Sequence, residues 1–229
     1  MIRPWVFEFF PELKDGGASA TGPAVTAYFD RYLDMWTRDE ARGFEGVFFS
    51  EHHFGSSFSA SPNLLIAALA QRTTRLRLGV MGVVTPWYEP ARIVEEIGML
   101  DHLTHGRLEI GTAIGVPQEL ARLGVDMAKA RELNDEALEI LDKALASGVV
   151  THHGQHFHYD NLRLLPRPAQ TPPPVWTTVV SESSARKSAQ RRAKISTGFN
   201  TTAEIKQLFD AYRDEAAKQG WRAGPEHLA

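Results

Sequence analysis

Cysteine is the first residue type that this sequence lacks: none of its 229 residues is a cysteine. The chain therefore cannot form a disulfide, a thiolate metal site or a cysteine nucleophile. A protein without cysteine is compatible with a reducing compartment, and we expect a cytoplasmic location.

Long apolar runs and an excess of positive charge are also missing. No segment approaches the ~20 apolar residues that a membrane helix needs, and Pro4 and Glu8 interrupt the apolar N-terminus, so we expect neither a membrane span nor a signal peptide. The formal net charge is −3 without a strongly basic stretch, which argues against nucleic acid as a partner. A hydrophobic content of 43% is enough for the core of one domain over residues 1–229.

Short apolar runs alternate with amphipathic stretches at a spacing of roughly 30 residues, which is the size of a βα unit. A loop rich in glycine and proline is predicted at 11–22. Such alternation is typical of a parallel sheet covered by helices, but periodicity does not distinguish an open, doubly wound sheet from a closed barrel. The predicted strands are 5–10, 44–50, 75–84, 108–113, 175–180 and 194–199.

Two further segments follow a different pattern. Residues 149–171 are polar and rich in histidine, and they predict a small hairpin-like insertion. If the segment is extended, His152, His156 and His158 share a face, which allows the hypothesis of a metal-dependent hydrolase; solvated hairpins are commoner, and we predict no metal site. Residues 220–229 are typical of the approach to a seventh strand, so we expect a barrel truncated after about six units.

Polar residues that could carry chemistry follow several predicted strands. Glu51-His52-His53-Phe54 comes after the second strand, and alternation along a strand points the two histidines to opposite sides. One histidine at a strand end is suited to be a general base, although bonding to loop backbone is the alternative. Ser181-Glu182-Ser183-Ser184 begins a helix, whose free N–H groups suit a phosphate or simply form an ordinary serine cap.

Taken in order and spacing, these residues resemble the luciferase-like flavin monooxygenase family, whose members are (β/α)₈ barrels and include the alkanal monooxygenases. The resemblance covers most of the chain. Its pieces are 51–54 (EHHF), 61–62 (SP), 75–86 (RLRLGVMGVVTP), 90–103 (PARIVEEIGMLDHL) with 106–108 (GRL), 157–170 leading to 173–176 (PPVW), and 181–184 (SESS).

The resemblance implies a flavin-dependent monooxygenase that uses reduced FMN and O2. In the family, the reduced flavin reacts with oxygen to give a flavin hydroperoxide, which oxygenates a small organic substrate. A separate flavin reductase supplies the reduced flavin, and members commonly form homodimers through the second and third helices. Two alternatives remain: an oxidoreductase that uses the deazaflavin F420, and a flavin-binding protein without turnover.

The resemblance also assigns site residues. His52 corresponds to the family's catalytic histidine, and Met81 with Gly82 corresponds to the strand-three bulge under the flavin ring, where relatives can have a non-proline cis peptide. The phosphate-binding turn maps to Glu182 and Ser183, with Arg186 as a further contact. One departure is Ile114, which stands where many FMN-using relatives carry an arginine that contacts the phosphate.

Overall fold

The computed structural model describes residues 3–13 and 22–229; residues 14–21, in the predicted loop at 11–22, lie outside the described part. Eight strands and seven α-helices are formed in this part of the chain. The strands are β1 Trp5–Glu8, β2 Gly46–Phe49, β3 Arg77–Val84, β4 Leu108–Ala113, β5 Val149–His153, β6 His158–Arg163, β7 Val175–Thr178 and β8 Lys194–Ser196; the helices are α1 Pro23–Asp39, α2 Pro62–Ala70, α3 Pro90–Leu103, α4 Pro117–Arg122, α5 Met127–Ser147, α6 Glu182–Gln190 and α7 Thr202–Lys218.

The main sheet has six strands in the order β1-β2-β3-β4-β7-β8, and all five neighbouring pairs are parallel. Each strand of the main sheet therefore lies beside the main-sheet strand that precedes it along the chain. A doubly wound sheet reverses its strand order at a switch point, whereas a barrel does not. The arrangement is a curled half-barrel of six βα units, which settles the choice that periodicity left open.

Alternating side chains divide between the two sides of the sheet. Val47, Leu78 and Ile110 are fully buried in the layer between sheet and helices, where they join the main hydrophobic core. Phe48, which follows Val47, and Met81, which follows the core residue Val80, belong to a smaller cluster on the inner side of the arc. The sequence period of two thus produces a helix-covered outer layer and an inner wall.

Several predicted boundaries are wrong by one to three residues, while β4 is predicted correctly at both ends. The predicted strand 5–10 ends at Glu8, and the predicted strand 194–199 ends at Ser196, because the ladder with the neighbouring strand stops there. The helical segment after β4 is divided into α4 and α5 by a turn that contains Gly124, where φ is +71°. None of the helices in the described ranges is long and apolar enough to cross a membrane.

Strands β5 and β6 pair antiparallel as a hairpin beside α5. The expectation that His152, His156 and His158 share a face is wrong. His153 pairs with His158 across the hairpin, while His152 is buried against α5. The turn between the strands resets the alternation, because a chain reversal does not preserve the period of two.

At the end of the chain, Pro225–His227 forms a short 3-10 turn, and Leu228 bridges parallel to Ile195 of β8. Ala229 donates its N–H to the Ile195 carbonyl and accepts from the Thr197 N–H. The last residues therefore run alongside β8 in the direction of a further parallel strand.

Candidate active site

His52 lies just beyond the end of β2 and is held by a carboxylate from α4. Its Nδ1 is 3.0 Å from Oε1 of Glu119, and the other oxygen of Glu119 accepts the backbone N–H of His53 at 3.1 Å. At the other end of the same short helix, Arg122 donates to the carbonyl of Phe54. Helix α4 therefore brackets residues 52–54 through one carboxylate and one guanidinium.

His53 faces away from this contact and joins a second carboxylate. Its Nε2 lies 2.9 Å from Oε1 of the buried Glu51, which also accepts from the Tyr88 hydroxyl and from the Val84 N–H. Burial, together with the charge of Glu51, raises the pKa of Tyr88, so its hydroxyl stays a donor. The ring of His53 packs against Trp87 in a tilted arrangement with centroids 4.0 Å apart, so this histidine has a packing role.

Met81 and Gly82 lie where the register of β3 against β4 shifts, between Val80 and Val83. The Met81–Gly82 peptide bond is cis. A Cβ on Gly82 would stand 2.7 Å from backbone atoms of Gly111 and Thr112, so the two strands approach too closely for any larger residue. Met81 faces the inner side of the arc.

The first turn of α6 contains the residues expected to meet a phosphate. Ser181 and Ser184 form a reciprocal cap, in which the Ser184 N–H donates to the Ser181 hydroxyl. Glu182 and Ser183 occupy the next positions, where helix N–H groups are free of intrahelical partners. The guanidinium of Arg186 lies between α6 and α7, 3.4 Å from both the Ala211 carbonyl and the Glu182 carboxylate.

These groups share the carboxyl-terminal edge of the parallel strands. His52 follows β2, Met81 and Gly82 lie in the second half of β3, and Ser183 follows β7. Arg186 is in the same helix but is directed toward α7, and Ile114 contributes no charge after β4. Glu119 was not expected in the site, because it is 67 residues from His52; its place in a helix directly after β4 is the signal that could have found it.

A cavity of about 1300 Å³ occupies the inner side of the arc. Its lining includes Phe7, Met81 and Val180, and also Glu109, whose carboxylate accepts from Arg77 and from the indole N–H of Trp176. Ligand pockets commonly have volumes of about 300–1,000 Å³, so a tricyclic ring and its substrate have ample room.

The residues present fit a flavin phosphate and ring. The serine-capped start of α6 offers backbone N–H groups and hydroxyls, which are donors that suit an anion. Ser50, at the end of β2, is 2% exposed, and its hydroxyl has no hydrogen-bond partner within the described residues. A buried hydroxyl without a partner is uncommon, and a bound polar ligand is one way to supply one.

The histidine-rich hairpin has a different character. His152 donates through Nε2 to Glu136, which also accepts the N–H groups of His156 and Phe157. Among residues 3–13 and 22–229, no three histidine or carboxylate side chains are placed to hold a metal ion together. The hypothesis of a metal-dependent hydrolase at this hairpin therefore lacks structural support.

Comparison with curated proteins finds relatives of matching sequence. An uncharacterized protein of Sinorhizobium fredii is 38% identical over 216 residues, 91% of this chain and 60% of its own length. The 4-hydroxyprotoasukamycin monooxygenase of Streptomyces nodosus subsp. asukaensis is 33% identical over 73% of this chain and 46% of its own. The oxygenase component of the flavin-dependent trigonelline monooxygenase of Acinetobacter baylyi is 31% identical over 68% of this chain and 44% of its own.

Solved structures share the fold. A monooxygenase from Streptomyces bottropensis superposes with a TM-score of 0.88 at 24% identity, over 98% of this chain and 69% of that one. The oxygenating constituent of 3,6-diketocamphane monooxygenase from Pseudomonas putida, in complex with FMN, gives 0.83 at 21% identity, over 99% and 65%. The F420-dependent tetrahydromethanopterin reductase of Methanopyrus kandleri gives 0.77 at 15% identity, over 99% and 64%.

The fold and the site together define a protein of the (β/α)₈-barrel class, with its polar groups at the carboxyl ends of the strands. The family model described as luciferase-like monooxygenase matches residues 8–228, and the chain belongs to this family. It spans about half of the length of the curated relatives named above.

Proposed function

We propose that this chain carries the flavin site and the catalytic histidine of a flavin-dependent monooxygenase, which uses reduced FMN and O2 to oxygenate a small organic substrate. One observation carries the proposal: His52, Met81 with Gly82, and the start of α6 lie at one edge of the sheet, and Met81 also lines the large cavity on the inner side of the arc. The named monooxygenase relatives and the FMN-bound structural neighbour support it.

Different residues of this chain have different roles in the proposed site. The N–H groups of Glu182 and Ser183 would hold the phosphate, Met81 and Gly82 would contact the ring system, and the hydroxyl of Ser50 would be a further donor to the cofactor. Reduced FMN, when bound, would supply two electrons and would react with O2. Phe7 and Phe9 pack edge to face and keep water from one side of the cavity, while His52 holds or accepts a proton.

The test is oxygen-dependent turnover with chemically reduced FMN. Purified protein is titrated anaerobically with reduced FMN and then mixed with oxygenated buffer and candidate substrates. We expect saturable binding, a rate of flavin reoxidation below that of free reduced FMN, and one oxygen atom in the product. Failure to bind reduced FMN contradicts the proposal, and binding without turnover favours a non-catalytic flavin-binding protein.

A deazaflavin is the second candidate cofactor, and Ile114 is the observation that favours it. The FMN-type arginine is absent after β4, and the guanidinium of Arg186 is already paired with the carboxylate of Glu182. F420-dependent enzymes are among the structural neighbours. Competition between FMN and F420 for the purified protein, followed by fluorescence, separates an oxygenase from a hydride-transfer enzyme.

A separate reductase is the proposed source of reduced flavin. The acinetobacter relative is named as an oxygenase component, which supports a two-component system, and the sequence contains no glycine-rich dinucleotide fingerprint. We place this system in the cytoplasm, where nicotinamide cofactors are available to a reductase. Turnover that starts only when a flavin reductase and NADH are added to oxidised FMN is the expected result.

The proposed oligomer is a homodimer through α2 and α3, with residues 1–229 as one domain and 149–171 as its insertion. These two helices pack side by side and expose Leu64, Met99 and Leu103. Exposed apolar side chains on neighbouring helices are typical of an interface. We expect Leu64→Asp to shift the sedimentation coefficient toward the monomer value, whereas Leu165→Asp, at an exposed loop position, leaves it unchanged.

A further inference from the structure

The carboxylate of Glu119 has two partners that differ in what they can do. The backbone N–H of His53 can only donate, and it occupies Oε2 at 3.1 Å. The ring nitrogen Nδ1 of His52 can donate or accept, and it occupies Oε1 at 3.0 Å. An ionised carboxylate only accepts, so Nδ1 of His52 must carry a proton in this contact.

This contact fixes the other nitrogen of the ring. A neutral imidazole has one proton, so a proton on Nδ1 leaves Nε2 with a free lone pair. Within the described residues Nε2 of His52 makes no hydrogen bond. The ring stacks on Phe9, which packs against the cavity-lining Phe7, and the His52 side chain is 29% exposed, so Nε2 lies near the cavity wall without being enclosed by the fold.

We propose that Glu119 is a positioning residue, which holds His52 in the tautomer with Nε2 bare and ready to accept a proton from the bound substrate or flavin. The inference rests on the proposed function for its role in turnover. When Nε2 accepts a proton, the resulting imidazolium lies against the Glu119 charge and is stabilised by it. Helix α4 thereby contributes to proton transfer without touching the reacting atoms.

The substitution Glu119→Gln tests the proposal without changing the size of the side chain. The N–H of His53 requires an acceptor and takes the amide oxygen of the glutamine. The amide NH2 group then faces Nδ1 of His52, which must become an acceptor, and the ring proton moves to Nε2. The variant keeps both hydrogen bonds and inverts the tautomer, so a fold defect is not expected.

The tautomer is read from 15N chemical shifts of histidine-labelled protein at alkaline pH, with His52→Gln used for assignment. We expect Nδ1–H in the natural sequence and Nε2–H in Glu119→Gln, with turnover reduced by roughly 10²–10⁴-fold and reduced-FMN affinity unchanged. The matched control is Glu136→Gln, a glutamate on α5 that also binds a histidine and backbone N–H groups. It leaves turnover and the His52 signals unchanged.

The outcomes separate the inference from the proposed function. A natural protein with the proton of His52 on Nε2, an unchanged tautomer in Glu119→Gln, or an inverted tautomer with full turnover overturns the positioning role. If instead the tautomer inverts as expected while the natural protein neither binds reduced FMN nor turns over, the geometry stands and the proposed function fails.

Discussion

Two histidine–glutamate pairs in this molecule use the same local chemistry in different surroundings. His52 pairs with Glu119 at the carboxyl-terminal edge of the sheet, and His152 pairs with Glu136 between the hairpin and α5. Both nitrogen–oxygen distances are 3.0 Å, and both carboxylates also accept backbone N–H groups. The side chain of His52 is 29% exposed, whereas that of His152 is 7% exposed.

The two histidines also differ in the surroundings of the ring nitrogen that does not contact the paired glutamate. Nδ1 of His152 lies 4.0 Å from Glu139, so a buried ring stands between two carboxylates. Nε2 of His52 has no partner among the described residues and lies beside exposed aromatic rings. A histidine with both nitrogens near carboxylates is suited to hold elements together, and one with a free nitrogen at a cavity is suited to move a proton.

The largest expected effect separates the two histidines by activity. His52→Ala removes the proposed proton acceptor, so we expect turnover with reduced FMN to fall roughly 10²–10⁴-fold while flavin affinity and melting temperature stay close to those of the natural protein. Steady-state oxygen consumption and anaerobic titration measure the two quantities. Equal losses of turnover in His52→Ala and His152→Ala would remove the functional distinction.

The next effect separates them by stability. His152→Ala leaves Glu136 without its ring partner in a buried contact, and we expect the free energy of unfolding to fall by roughly 1–3 kcal/mol. Urea denaturation, corrected for any change in the m-value, measures the loss. His52→Ala is the matched comparison, and a larger destabilisation there than at position 152 contradicts the assignment of roles.

A smaller effect depends on pH. Burial opposes ionisation of Glu136, but hydrogen bonds from the Phe157 and His156 N–H groups and from His152 outweigh it and lower its pKa. A lowered pKa in the folded state stabilises the protein above the ordinary glutamate value of 4.5, and this contribution is lost as the pH falls through the lowered value. We expect Glu136→Gln to lose about 1 kcal/mol at neutral pH, since one hydrogen bond to a charged group is weakened.

Thermal melts at neutral and acidic pH check this dependence. The difference in melting temperature between Glu136→Gln and the natural protein should shrink as the pH falls below 4.5, the ordinary pKa of a glutamate. A difference that stays constant, or that grows in acid, shows that the ionised carboxylate is not what stabilises the hairpin contact.

The smallest expected effect is at Glu132. Its carboxylate lies 3.3 Å from Nε2 of His156 but without hydrogen-bond geometry, and it is more than half exposed. Exposed pairs of this kind contribute about 0–1 kcal/mol. Glu132→Gln should leave both the melting temperature and turnover within error of those of the natural protein. A measurable loss of turnover would show that the hairpin contributes to activity.

The sequence was sufficient for the elements whose signals are local. Strand β4 is bounded by a Gly-Arg turn on one side and a loop on the other, and its predicted ends are correct. Thr201 and Glu204 have the three-residue spacing of a capping box, and both reciprocal hydrogen bonds are present. Strand ends such as Phe10 and Phe199 were not predictable in the same way, because they depend on where the neighbouring strand stops pairing.

The same distinction between local sequence signals and contacts with distant elements applies to the site. The run at 51–54 indicated His52, yet nothing near it in sequence indicated Glu119, whose partner is set by how α4 returns over the end of β2. Arg186 was expected near a phosphate from its position in the first turns of α6. Its guanidinium instead reaches Ala211, because α7 packs against α6 and offers a carbonyl nearby.

The bracket that α4 forms over residues 52–54 is made largely to main-chain atoms. Glu119 receives the N–H of His53, and Arg122 donates to the carbonyl of Phe54. Main-chain groups are the same for every residue type, so the side chain of Phe54, half exposed beside the site, is free to vary while His52 stays in place. The bracket thus fixes the main chain around His52 and leaves the side chain at position 54 open to substitution.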